Sequence, residues 1–180
     1  MISSDIMTIR LRDKNAMTSE EQAVEAKLTE LEIPYERHDH EPIMTVAEGQ
    51  KIAEKLGSHC MKNLFLCAKK KTYYLLLLPA EKSFSSKELA RQLQCGHLSF
   101  GSPEKMAELL KTYPGAVTAL GLMFDVRAEV KVLVDKDLTE FDFVDCHPCS
   151  NAASLKIAVK DLLEKWFPAT GHGDFMTVSI

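Results

Sequence analysis

Cys146-His147-Pro148-Cys149 is the segment whose residue types and spacing most directly suggest chemistry. Two thiols two residues apart can cycle as a disulfide ahead of a helix, or supply half of a tetrahedral zinc site. Neither use finds its complement in this chain. A thioredoxin-type motif belongs beside an early strand, whereas this one lies late, after a long stretch of mixed helices and strands. For zinc, Cys60, Cys67 and Cys95 form no second Cys-x-x-Cys, and His97 stands isolated. Five cysteines, an odd number without framework spacing, are expected to be reduced thiols.

Three other groupings carry polar chemistry. Lys62-Asn63 opens an apolar strand. Its ammonium either reaches solvent from a strand end or sits at a pocket rim to bind a phosphate or a carbonyl oxygen. Tyr113-Pro-Gly-Ala-Val-Thr118 reads as a turn leading into a short β-like run. Its glycine either serves the turn alone or lets backbone N–H groups approach a substrate. His147 and Asn151 form a polar pair at a strand bend, structural or substrate-orienting, and His38 and His40 read as surface-turn residues. Spacing leaves these alternatives open.

The elements that must position these groups announce themselves through caps and periodicity. Thr18-Ser-Glu-Glu21 is a capping box followed by Val24, Leu28 and Leu31, which predicts a helix of about three turns stopped at Pro34. Tyr35 to His38 fits a short strand. Thr45-Val-Ala-Glu48 is a second capping box, with Ile52, Ala53 and Leu56 on one face and Gly57 as the stop. Asn63–Ala68 and Thr72–Leu78, separated by three lysines, predict a central β-hairpin. Ser85-Ser-Lys-Glu88 opens a helix through Leu93, and Ser102-Pro103 opens another to Leu110. Glu129 to Asp135 alternates as a strand, while 151–167 fits either one helix or a strand leading into a shorter helix. Irregularly interleaved helices and hairpins point to an α+β fold with a mixed sheet.

Composition bounds the function. The chain has 180 residues, 46% hydrophobic and 27% charged, as expected for a single globular domain, with 1–17 as an N-terminal extension and 18–180 as the domain. A net charge of -4 argues against coating nucleic acid with a basic surface and leaves room for a local basic site. No apolar stretch approaches the roughly 20 residues of a membrane span, and the first residues lack the order of a secretory signal, so a cytoplasmic protein without membrane partners is expected.

Six segments in order resemble the YbaK/prolyl-tRNA-synthetase-associated family, most closely its free-standing prolyl-tRNA editing branch. They are Tyr35-Glu-Arg-His-Asp-His-Glu-Pro-Ile-Met-Thr45, Lys62-Asn-Leu-Phe-Leu66, Leu98-Ser-Phe-Gly-Ser-Pro-Glu104, Pro114-Gly-Ala-Val-Thr118, His147-Pro-Cys-Ser-Asn151 and Thr170-Gly-His172. The resemblance implies a curved, partly barrel-like mixed sheet surrounded by helices, a strand over 151–157, and a last helix from near Ala158. It implies an aminoacyl-tRNA deacylase that hydrolyses alanyl-tRNA(Pro), with cysteinyl-tRNA(Pro) or a non-catalytic tRNA-binding module of the same fold as alternatives. Its partners would be the acceptor end of mischarged tRNA(Pro) and prolyl-tRNA synthetase, without DNA, metal or cofactor.

Residue by residue, Lys62 and Asn63 match the family's Lys-Asn pair, and Gly115 the first glycine of its GxxxP loop. His147 and Asn151 match its HPxxN segment, and Thr45 the threonine after its His-x-x-Pro stretch. On this resemblance Lys62, Gly115 and His147 are expected to be catalytic, and Thr45, Asn63, Ala116 and Asn151 to bind substrate. Backbone N–H groups of Gly115 and Ala116 would face the oxyanion, and His147 with Asn151 would orient the terminal ribose. One departure stands out: the proline that closes GxxxP is Ala119 here. If Thr118 is extended, as a residue before proline must be, restoring proline at 119 is expected to be tolerated.

Overall fold

Capping chemistry starts the helices where the sequence places them. In the computed structural model, which describes residues 17–180, Thr18 caps α1 (Ser19–Glu30) and Thr45 caps α2 (Val46–Leu56). Both form reciprocal capping boxes, with Glu21 and Glu48 respectively. Gly57 ends α2 in the left-handed region at φ 64°. Ser85 caps α3 (Ser86–Gln92) by accepting from the Glu88 N–H, but the box is not reciprocal, because the Glu88 carboxylate turns to Arg91 at 2.6 Å. Ser102 and Pro103 open α4 (Pro103–Leu110). Residues 1–16 of the expected extension lie outside the described residues.

Eight strands are described: β1 (Tyr35–Asp39), β2 (His59–Ala68), β3 (Thr72–Pro79), β4 (Leu98–Phe100), β5 (Val130–Asp135), β6 (Phe143–Cys146), β7 (Ala153–Ala158) and β8 (Met176–Val178). Their order is β1-β7-β6-β2-β3-β5-β8, with β4 also on β2. The β2–β3, β1–β7 and β6–β7 pairs are antiparallel, and β2–β6, β3–β5 and β5–β8 are parallel, which makes the mixed sheet of an α+β fold. The expected hairpin is β2–β3. Of the two readings of 151–167 the strand holds, with shifted bounds: 151–152 form a turn and β7 runs Ala153–Ala158. A helical run follows from Val159 to Ala169: α5 (Val159–Asp161), a π-helical turn (Leu162–Trp166) and α6 (Phe167–Ala169).

Leu75 to Leu78 are all fully buried because β3 is central and covered on both faces. Leu75 and Leu77 join Phe65, Leu120 and Trp166 in the main core, while Leu76 and Leu78 join Leu66, Leu89 and Leu133 on the opposite side. The β-like run expected after Pro114-Gly115 forms no strand: residues 116–118 are irregular, with Thr118 extended, and a 3-10 turn follows at Ala119–Phe124. Thr118 caps it, and the Trp166 indole donates to the Ala119 carbonyl. No helix among the described residues is long and apolar enough to cross a membrane.

Candidate active site

β2 is where the sheet divides. One edge pairs with β3 from Met61 to Ala68. The other edge holds β6 only at His59 and Cys60 and β4 only from Leu66 to Ala68. Among the described residues, Met61 to Leu64 therefore have no ladder partner on that side, the Phe65 carbonyl still accepting the Gly101 N–H at 2.9 Å, and a cavity of about 270 Å³ opens there. Lys62, Asn63, Gly115, His147 and Thr45 all line it, although they come from four separate segments.

Lys62 is half-buried, and its ammonium donates to the Lys82 carbonyl, which fixes the stem and leaves two N–H donors. The Lys82 side chain is itself held by Asp135 and Asp137, each at 2.7 Å. Asn63 Oδ1 accepts the Ala119 N–H at 3.0 Å and so ties the strand to the 3-10 turn. That bond corrects the expectation at position 119. Thr118 is indeed extended, at φ -154° and ψ 147°, but the amide that proline would remove is in use.

His147 is packed under the rim, and burial lowers its pKa, so the neutral ring is favoured. Its Nδ1 lies 3.1 Å from the Ala153 carbonyl, which can only accept, so the proton sits on Nδ1 and Nε2 keeps a lone pair. Gly115 occupies φ 94° in a turn closed by the Ala116 N–H donating to the Tyr113 carbonyl. An added Cβ there would meet nothing within 4 Å, so glycine is required by backbone conformation and not by space.

Three expected binding residues sit differently. Ala116 is fully buried, does not line the cavity, and spends its N–H inside the turn, so it cannot be an oxyanion donor. Val117 is the next loop residue that faces the cavity. Asn151 stands behind the wall: its amide donates to the Ile43 carbonyl at 3.2 Å and its Oδ1 accepts from the Tyr113 hydroxyl at 3.1 Å. It positions the Ile43–Thr45 rim and the Tyr113 turn. Thr45 does line the cavity, but its hydroxyl accepts the Glu48 N–H at 3.2 Å and donates to the Glu48 carboxylate at 3.0 Å. The Met44 N–H, the Thr45 hydroxyl and the Thr45 N–H all donate to the Glu48 carboxylate and hold its pKa below its ordinary value.

Cys146 and Cys149 are buried at 1% and 4% exposure. Burial pushes both thiols up, Cys149 to about 12, which suppresses the thiolate that redox or zinc chemistry needs. His172 lies in the loop after α6, between Thr170 Oγ1 and the Asp125 carboxylate at 3.1 Å each, away from the cavity. The site residue that the sequence did not reveal is Asp145. It is 7% exposed, lines the cavity, and is held opposite Cys60 by the short parallel β2–β6 pairing. No local pattern marks an acid inside a four-residue strand.

Residues 40–165 match the family model of the aminoacyl-tRNA editing domain. The chain is 37% identical over 152 residues to the prolyl-tRNA editing protein ProX of Acetoanaerobium sticklandii, covering 84% of this chain and 92% of that protein. It is 30% identical over 136 residues to the prolyl-tRNA synthetase associated domain-containing protein 1 of Danio rerio, covering 74% and 73%. A solved structure described as a candidate trans-editing enzyme for prolyl tRNA synthetase superposes with a TM-score of 0.68 over 91% of this chain and 98% of that one. At 16% identity that likeness is one of fold.

Proposed function

Because the chain belongs to the aminoacyl-tRNA editing domain family, matched over 126 residues from 40 to 165, we propose that it is a free-standing prolyl-tRNA editing enzyme that hydrolyses alanyl-tRNA(Pro). The observation that carries this reading is the single cavity that gathers Lys62, Asn63, Gly115 and His147 at the split in the sheet. The relatives' names, prolyl-tRNA editing protein and prolyl-tRNA synthetase associated domain protein, support the same substrate class and the same synthetase as the source of the error.

A synthetase pocket built for proline cannot strongly reject alanine, since each missing methylene is worth only about 1–3 kcal/mol. A second site too small for proline completes the discrimination. The aminoacyl ester is activated, so positioning and oxyanion stabilisation suffice without a protein nucleophile. Water attacks the ester carbonyl carbon, and the tetrahedral oxyanion collapses with release of the ribose hydroxyl and free alanine. The substrate's neighbouring 2′-hydroxyl assists the attack. Lys62 gives its two remaining N–H groups to the carbonyl or the terminal adenosine, and the Gly115 amide faces the developing oxyanion. His147 accepts a ribose hydroxyl at Nε2. Asn63 holds the loop that carries Gly115, while Thr45 and Asn151 shape the rim.

The test is a panel of alanyl-, cysteinyl- and prolyl-tRNA(Pro) incubated with the purified protein in EDTA. Alanine release with prolyl-tRNA(Pro) spared is expected. Equal cleavage of the alanyl and prolyl esters, or no cleavage of alanyl-tRNA(Pro), would refute the assignment.

A further inference from the structure

The cavity runs from an exposed rim to a buried floor. Met44 is 79% exposed and Val46 45%, whereas Met61 and Asp145 are each 7% exposed. Asp145 lines the cavity at that floor, and its Oδ1 has no hydrogen-bond partner among the described residues. Its cross-strand neighbours do not neutralise it. On one side, Cys60 carries a thiol that burial pushes up to about 12, so it stays uncharged and is a poor donor. On the other, Lys156 is drawn away to Glu36 at 3.4 Å and over the Phe143 ring at 4.7 Å from its centroid. Among the described residues Asp145 forms no ion pair.

A buried carboxylate without a counter-charge is costly to keep, and a cation of the right size entering the cavity would relieve it. We propose that Asp145 is the seat for the α-ammonium group of the aminoacyl ester. This rests on the editing reading and deepens it: the enzyme reads the free amine that every elongator aminoacyl-tRNA carries, not only the size of the side chain. The ammonium is bonded to the carbon next to the ester carbonyl. Seating it at the floor turns the carbonyl toward Lys62 and Gly115 and leaves the adenosine at the rim. Burial pushes the Asp145 carboxyl up to about 7 in the free protein, and an arriving ammonium favours its ionised form.

The probes are two non-hydrolysable adenosines: 3′-alanylamido-3′-deoxyadenosine and its lactyl counterpart, in which a hydroxyl replaces the ammonium at nearly the same size. Binding is measured by calorimetry on the wild-type protein and on Asp145→Asn, a change of charge with little change of shape. The expected result is at least tenfold tighter binding of the alanyl probe by the wild type, with that preference lost in the variant and lactyl binding nearly unchanged. Equal binding of the two probes by the wild type, a preference retained in Asp145→Asn, or no binding of either probe would overturn the proposal. The wild-type comparison does not depend on the variant folding. Deacylation of alanyl-tRNA(Pro), assayed in parallel, separates the two claims. Activity without an amine preference defeats the Asp145 proposal alone, whereas an amine preference without deacylation upholds it and defeats the editing reading.

Discussion

Replacing Ala119 by proline restores the residue that closes the family's loop motif, and the structure says that it should harm this protein. Two features favour proline. Thr118 is already extended at φ -154° and ψ 147°, and residue 119 opens a 3-10 turn, so the unfolded chain would lose freedom at little backbone cost, a gain of about 0.4–1 kcal/mol. Two features oppose it. The Ala119 N–H donates to Asn63 Oδ1 at 3.0 Å, and removing that bond costs about 0.5–1.5 kcal/mol. Ala119 is also fully buried within the main core, where extra ring carbons cost about 1–3 kcal/mol. The losses exceed the gain, so a net destabilisation of about 0.5–4 kcal/mol is expected. Urea unfolding at constant slope would read the shift in midpoint. Deacylation kinetics should show a lower kcat, because Asn63 loses its tether to the loop that follows Gly115. In an Asn63→Ala background the cost of proline should shrink by about 1 kcal/mol, the worth of the shared hydrogen bond. A variant as stable and active as the wild type, or the same proline cost in both backgrounds, would refute the reasoning.

Lys62→Ala should lose most deacylation while its unfolding midpoint stays close to wild type, since the half-buried ammonium holds one carbonyl and fills no core space; unchanged turnover would remove Lys62 from the site. Cys146→Ala with Cys149→Ala should keep its turnover number, because both thiols are buried and away from the cavity lining, although some stability is lost with the sulfurs; abolished turnover in a folded double variant would return the cysteines to the mechanism. The folded-state pKa of Asp145 is raised from 3.8 to about 7, so the folded protein binds a proton that the unfolded chain has released. Stability from this group is therefore full below about pH 4 and falls, by on the order of 4 kcal/mol, as pH rises to about 7. Asp145→Asn should abolish that fall and exceed the wild type in stability above pH 7, and superimposable stability–pH curves for the two proteins would contradict the burial argument.

The sequence by itself determined whatever depends on neighbours a few residues away. The capping boxes at Thr18 and Thr45, the Gly57 stop and the serine cap before Pro103 are satisfied by groups within about one turn, so residue order suffices to write them. The β2–β3 hairpin was legible because its strands are long and their connection short. The motif residues Lys62, Asn63, Gly115 and His147 were legible as types, and the structure brings them to one cavity. Tertiary structure decided the rest. β4, β6 and β8 have only three or four residues each, too few for a period, and they exist through pairing with strands distant in sequence. The split on the β2 edge follows from where β6 stops and β4 begins, which no local pattern encodes. That same distant pairing buries Asp145 opposite Cys60. Hydrogen-bond competition made the remaining distinctions: the Ala116 amide goes to its turn, the Thr45 hydroxyl to its cap and the Asn151 amide to the rim. A backbone or side-chain donor serves a substrate only if folding leaves it unspent, and that depends on every partner the fold brings within about 3 Å.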